Sequence, residues 1–263
     1  MQLAKNSFFR IIRFSTTYLV LFKQLLIIQF LRPSTPTKTA VILIAKKYSY
    51  LQMGLICMSS FLYYNRDFEI QIHCDQKISK ILRIFLPLYR RFIVTVFPTI
   101  SDNSDPYIEQ LKLFFNLNSI NTILFDADIR WKGSLVYDFR DPLAYNFESN
   151  VNALDFWPIL AAHLRIPSEA GYQVLTCCVT SWGNQSLRMS QSEINKYIED
   201  LDTFQWEGDH KFNEFKRLRG QFLMSYIFTK LSNKTNSIVE IEKSKGKILE
   251  TSFFGATGYR YGT

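Results

Sequence analysis

The segment Thr122-Ile-Leu-Phe-Asp-Ala-Asp128 joins a short apolar run to a pair of carboxylates. Residues 122–125 have the composition of a strand buried in a sheet. Asp126 and Asp128 follow at positions i and i+2, which point to the same side of an extended chain. Two carboxylates placed in this way can share one hard divalent cation, Mn²⁺ or Mg²⁺. The ordinary alternative is that both aspartates cap a turn or face solvent.

The chain before this segment alternates between strand and helix patterns. Strands are predicted at residues 39–45, 68–73, 91–96 and 122–125, and helices at 48–65, 76–86 and 105–118. This alternation is typical of an α/β fold with an open, mostly parallel, doubly wound sheet and flanking helices. Such sheets bind ligands at the carboxyl ends of their strands, which is where Asp126 and Asp128 stand.

The composition excludes several classes of protein, and the charged residues are unevenly distributed along the chain. With 263 residues, 47% of them hydrophobic, the chain is neither disordered nor collagen-like nor a coiled coil. Residues 1–100 hold fourteen Lys and Arg against three Asp and Glu, whereas residues 101–263 hold seventeen against twenty. The first part should therefore attract anions. No nucleic-acid-binding motif is visible, so nucleic acid is not predicted as a partner.

The four cysteines show no spacing typical of zinc sites or disulfide scaffolds. Reduced, buried thiols in a cytoplasmic protein are the simplest interpretation. The predicted location is therefore the cytoplasm.

Residues 8–31 form an apolar segment interrupted by Arg10, Arg13 and Lys23. These charges disfavour a membrane-spanning helix, and no signal-type cleavage site follows. Two alternatives stay open: an interfacial helix on an anionic membrane surface, or a helix packed on the domain or a partner. Residues 33–37 are predicted to be a linker, so residues 1–37 are predicted to lie outside a domain at 38–263.

The stretch Glu109–Leu135 resembles the core block of GT-A glycosyltransferases, most closely the glycogenin-like, family-8 retaining group. Its matching features are a helical Lys112-Leu113, an apolar strand, Asp126-Ala127-Asp128 and the following Tyr137-Asp138-Phe139. Ala45-Lys-Lys-Tyr48 is similar to the end of the family's opening nucleotide strand, and His73-Cys74-Asp75 to the end of its second strand. The resemblance implies a nucleotide-sugar half at about 38–140 and an acceptor half at about 141–263.

The activity implied by this resemblance is metal-dependent transfer of a hexose from a nucleoside diphosphate sugar, in particular a UDP-sugar, with retention. The acceptor would be a glycan, a lipid or a protein. Asp126 and Asp128 would hold Mn²⁺ or Mg²⁺. The donor-binding residues would be Ala45, Tyr48, Asp75, Lys112, Asp126, Ala127 and Asp128.

Lys112 and Asp209 are the candidate catalytic residues, each with a structural alternative. Lys112 can stabilise the departing diphosphate, or it is a solvated lysine on a helix. Asp209 can orient the sugar or acceptor, or it caps a helix predicted at 211–231. The family also carries a C-terminal histidine as third metal ligand, whereas the last histidine here is His210. A catalytically inactive GT-A-like scaffold in polysaccharide or glycoconjugate assembly is therefore the alternative function.

Overall fold

The computed structural model divides the chain into two compact units. Unit 1 comprises Met1–Asp102, Phe125–Tyr137 and Ser244–Thr263, and unit 2 comprises Asn103–Leu124 and Asp138–Lys243. The described residues are 19, 22–44, 48–101, 106–116, 121–136, 139, 143–147, 151–167, 175–181, 191–205, 207–208, 210–212, 219–232, 239–240 and 249–250.

Unit 1 is built on parallel strands joined by helices. Its elements are α1 (residues 22–30), β1 (Lys38–Ile44), α2 (Tyr48–Tyr64), β2 (Phe68–Cys74), α3 (Gln76–Phe85), β3 (Val94–Phe97), β5 (Arg130–Trp131) and β9 (Leu249–Glu250). The strand order is β3-β2-β1, and both pairings are parallel. β5 and β9 form a separate antiparallel pair. The predicted α/β class is confirmed by these pairings.

The core of unit 1 surrounds α2, which is buried along most of its length. Between residues 51 and 62 every side chain except Gln52 is buried, so this helix is apolar on all sides. The Phe61 ring lies 4.9 Å from each of Phe68, Phe125 and Trp131, measured between ring centroids. This aromatic cluster joins α2 to β2 and to the segment that carries the aspartate pair.

α1 packs on α2 through part of its surface. Ile28 is fully buried, and Leu25 contacts a cluster of Met53 and Ile56. The backbone N–H groups of Ser34 and Thr37 donate to the carbonyls of residues 66 and 67. Residues 22–37 therefore pack on the rest of unit 1, as in the second of the two alternatives that the sequence left open. The physical reason is that α2 is apolar on all sides, and α1 covers one of them.

Unit 2 combines an antiparallel strand pair with four helices among its described residues. Its elements are α4 (Pro106–Asn116), β6 (Leu143–Phe147), α5 (Val151–His163), β7 (Leu175–Ser181), α6 (Gln191–Thr203), α7 (Arg219–Ser232) and β8 (Val239–Glu240). β6 pairs antiparallel with β7 and parallel with β8. Phe156 is fully buried among the rings of Phe204, Phe212 and Phe222.

The strand β4 (Thr122–Asp126) is divided between the units, with residues 122–124 in unit 2 and residues 125–126 in unit 1. α4 packs against α6 and α7, which groups residues 103–124 with the later part of the chain. The predicted nucleotide-sugar and acceptor halves at 38–140 and 141–263 stay a prediction.

One predicted strand begins later than expected, and one predicted helix is described only in part. The strand predicted at 91–96 is β3 (Val94–Phe97), because a turn closed by the Phe92 N–H on the Tyr89 carbonyl occupies residues 89–92. Of the helix predicted at 211–231, the described part is α7 (Arg219–Ser232), and His210–Phe212 form a short 3-10 turn.

Within the described ranges, no helix is both long enough and apolar enough to cross a bilayer. The cytoplasmic location stays a prediction.

Candidate active site

The aspartate pair lies where β4 ends and the chain turns toward β5. Asp126 is the last residue of β4, and residues 127–128 form a turn rather than the extended segment that the sequence predicted. The burial alternates nevertheless: the residues at 125, 127, 129 and 131 are buried, and those at 126, 128 and 130 are half-buried. A two-residue alternation places the even-numbered side chains on the accessible side. The Arg130 side chain therefore lies on the same accessible side as the side chains of Asp126 and Asp128.

Gly54 of α2 allows the Ile44 side chain, at the carboxyl end of β1, to approach the helix next to this turn. A Cβ atom added to Gly54 would overlap Ile44 Cδ1, would lie 2.9 Å from Ile44 Cγ1 and would lie 3.9 Å from Ala127 Cβ. Ile44 is the last residue of β1, so Ala127 lies close to the carboxyl end of that strand. Gly54 was not among the site residues predicted from the sequence. The available signal was a glycine inside an apolar helix, which often indicates a close contact.

Cys57 of α2 contacts the backbone of the aspartate pair. Its thiol donates to the backbone carbonyl of Asp126, with 3.4 Å between sulfur and oxygen. Burial, followed by the charge of Asp128, raises the pKa of Cys57 well above its ordinary value. The side chain is therefore a neutral thiol that donates a hydrogen bond, not a thiolate. Cys57 and Cys74 are both buried free cysteines.

Burial also raises the pKa of the Asp128 carboxyl group, and a backbone hydrogen bond opposes part of this shift. Taking a carboxylate out of water penalises its charged form. A bound cation would reverse that penalty, because an opposite charge at close range favours the carboxylate.

Side-chain hydrogen bonds from α2 hold the segment that follows the aspartates. The backbone N–H of Trp131 donates to Ser60 Oγ at 3.0 Å, and that of Leu135 donates to Asn65 Oδ1 at 2.7 Å. Ser60 and Asn65 are both buried. Each bond satisfies a buried backbone donor, so the segment has a defined position on α2.

Asp75 has a structural role at the start of α3. Its carboxylate accepts a 2.8 Å hydrogen bond from the N–H of Ile78, which is the geometry of a helix N-cap. The Asp75 side chain is buried. The neighbouring His73 ring is stacked on Phe97, and its Nδ1 lies 3.0 Å from Thr99 Oγ1.

The other predicted site residues are not brought into this cluster by any described contact. Lys112, in unit 2, forms an ion pair with Glu109 of the same helix at 3.1 Å. Tyr48 is the first residue of α2. Ala45 and Asp209 lie outside the described residues. His210 is exposed in its 3-10 turn.

The donor set at the turn fits a hard divalent cation but does not complete its coordination. Carboxylate oxygens are the ligands that Mg²⁺ and Mn²⁺ accept, and Asp126 and Asp128 supply two such groups. Among the described residues there is no cluster of three or more His, Cys, Asp or Glu side chains that could hold a metal. Water and phosphate oxygens would have to fill the remaining positions.

The fold and the turn define an α/β protein with a candidate cation site after β4. No family model and no curated protein matches the sequence. The solved structures to which the chain is similar include three glycosyltransferases. Mouse xyloside xylosyltransferase 1, in its apo form, is 10% identical, with 77% of this chain and 84% of that chain covered and a TM-score of 0.43.

The glycosyltransferase GlyE of Streptococcus pneumoniae TIGR4 is 14% identical, with 80% of this chain and 46% of that chain covered and a TM-score of 0.48. The mannosyltransferase PcManGT of Pyrobaculum calidifontis, in complex with GDP-Man and Mn²⁺, is 10% identical, with 68% and 56% covered and a TM-score of 0.35. Because these scores and identities are low, the three proteins are similar structures rather than demonstrated relatives.

Proposed function

We propose that this chain is a metal-dependent glycosyltransferase of the GT-A type, which moves a sugar from a nucleoside diphosphate sugar to an acceptor. One observation carries the proposal: half-buried Asp126 and Asp128 flank buried Ala127 in a turn close to the carboxyl end of β1. A UDP-sugar donor, retention of configuration and a place in the family-8 group belong to the same proposal. Those three points rest on the sequence resemblance of residues 109–135.

Glycosyl transfer of this kind requires that the charge on the departing diphosphate be stabilised. Asp126 and Asp128 would hold the cation, and Mn²⁺ or Mg²⁺, when bound, supplies Lewis-acid stabilisation of the phosphate oxygens. Ala127, between the two carboxylates, is buried close to Gly54 and so packs the turn against α2. The Cys57 thiol supports the same turn by donating a hydrogen bond to the Asp126 carbonyl.

The remaining predicted residues enter the proposal with separate roles. Ala45, Tyr48 and Asp75 would contact the nucleoside of the donor, Asp75 in addition to capping α3. Lys112 would leave its ion pair with Glu109 and form an ion pair with the diphosphate instead. Asp209 would orient the transferred sugar or the acceptor, which is a glycan, a lipid or a protein.

The test is Mn²⁺-dependent binding of UDP-sugars by Asp128→Asn, measured by calorimetry with and without the metal. The substitution keeps the shape of the side chain and removes one charge, so the metal-dependent part of the affinity should fall at least tenfold. Asp202→Asn is the matched control, because Asp202 is exposed on α6. An Asp128→Asn variant with the Mn²⁺-dependent affinity of the wild type would contradict the metal assignment.

The inactive scaffold remains a second candidate because the described residues contain no complete set of metal ligands. Release of UDP from a UDP-sugar in the presence of Mn²⁺ separates the two functions. The enzyme should bind and turn over the donor, with or without added acceptor, whereas the scaffold should bind it without turnover.

A further inference from the structure

Leu19 and the exposed side of α1 carry an apolar stripe. Leu19, Phe22, Leu26 and Phe30 are separated by three, four and four residues, the spacing of one helical face. Their exposed fractions are 66%, 60%, 48% and 79%. Single exposed apolar residues are ordinary, but a contiguous stripe marks an interaction surface. The fully buried Ile28 shows that the opposite side of α1 is the one that packs on unit 1.

A second exposed segment adjoins the end of α1. The Gln29 side chain donates to the Leu88 carbonyl, and the Arg91 guanidinium donates to the Leu31 carbonyl at 3.3 Å. Leu88, Arg90 and Arg91 are all exposed. The apolar stripe therefore ends beside two exposed arginines. We call Leu19, Phe22, Lys23, Leu26, Phe30, Leu88, Arg90 and Arg91 together the α1 surface.

The carboxylates of the first hundred residues all have partners that do not belong to the α1 surface. Residues 1–100 contain only Asp67, Glu69 and Asp75 as acids. Asp67 pairs with Lys38 at 2.8 Å, and Asp75 caps α3. Glu69 accepts hydrogen bonds from the side chains of residues 39 and 71. The fourteen Lys and Arg of this part thus leave a strong positive excess.

We propose that the α1 surface docks unit 1 on an anionic phospholipid bilayer. Leucine and phenylalanine side chains enter the boundary between headgroups and acyl chains, and lysine and arginine bind anionic headgroups. The positive excess favours this occupant over a second protein, because an apolar protein interface needs no such charge. The α1 surface contains none of the proposed donor-binding or metal-binding residues, so this proposal stands independently of the glycosyltransferase proposal.

The experiment is sedimentation of the full chain with phosphatidylcholine vesicles and with vesicles that also contain phosphatidylglycerol. Binding should require phosphatidylglycerol and should weaken as the salt concentration rises. The double variant Lys23→Gln/Arg90→Gln should lower the partition coefficient about 25-fold, since each cation contributes about fivefold. Lys196→Gln is the matched control, because Lys196 is exposed on α6 of unit 2.

The apolar half of the surface is tested by Phe22→Ser/Phe30→Ser, with Val136→Ser as control because Val136 is 92% exposed elsewhere in unit 1. The double variant should lose vesicle binding, and the control should keep it. Equal binding to both kinds of vesicle would overturn the proposal. So would no binding by the wild type, or a dimer in sedimentation velocity that Phe22→Ser/Phe30→Ser dissociates, which would identify a second copy as the occupant.

Discussion

His73, near the carboxyl end of β2, shows how one buried side chain connects stability to pH. Its ring is buried and stacked on Phe97, and its Nδ1 contacts Thr99 Oγ1. Its Nε2 has no hydrogen-bond partner among the described residues. Burial lowers the pKa of His73 from its ordinary value of 6.5, so the folded protein keeps the ring neutral.

The stability of unit 1 should therefore fall in acid. Below pH 6.5 the unfolded chain binds a proton at His73 that the folded chain resists, so the free energy of unfolding decreases as the pH falls through that range. Thermal melting of the wild type and of His73→Gln from pH 8 to pH 5 measures this, and the variant should show the shallower slope. Equal slopes would assign the acid sensitivity to other groups.

Gly54 is a second residue whose effect is local and measurable. Gly54→Ala should destabilise unit 1, because overpacking typically costs about 1–3 kcal/mol, while the better helix propensity of alanine returns roughly 1 kcal/mol. Ile44→Val shortens the side chain that the new methyl group would meet, so it should rescue Gly54→Ala. Denaturant unfolding of the two single variants and the double variant measures the coupling. Additive effects would show that the two side chains do not compete for space.

At the scale of the elements, α2 organises unit 1 because other elements pack on several of its sides. α1 covers one side, the Tyr89 hydroxyl contacts Ser59 on another, and Ser60 and Asn65 hold the segment after β4. An element of this kind must be apolar all round, with polar side chains only where they meet a backbone group.

The contribution of α1 can be measured with two substitutions two residues apart. Ile28→Ala removes a fully buried side chain and should lower the free energy of unfolding by about 2–5 kcal/mol. Phe30→Ala removes a side chain that is 79% exposed and should change it by less than about 0.5 kcal/mol. Equal, small effects in chemical denaturation would contradict the packing of α1 on α2.

At the scale of the whole molecule, the proposed site makes cation and nucleotide binding mutually dependent. Two carboxylates alone hold a divalent cation weakly, and diphosphate oxygens supply the ligands that are missing. Mn²⁺ alone and UDP alone should each raise the melting temperature slightly, and together they should raise it by more than the sum. The Asp126→Asn/Asp128→Asn double variant should lose the excess. A large increase with Mn²⁺ alone would contradict a site completed by phosphate.

The sequence by itself determined the α/β class, the order of the first strands and helices, and the position of Asp126 and Asp128 after a buried strand. These features are local, because strand and helix periods and turn residues are written in consecutive positions. The tertiary structure alone decided that α1 packs on α2, that Gly54 makes room for the Ile44 side chain, that the Cys57 thiol contacts the Asp126 carbonyl and that Asp75 caps α3 within a buried environment. Those contacts join residues far apart in the chain, and their energies depend on burial and distance, which no local pattern contains.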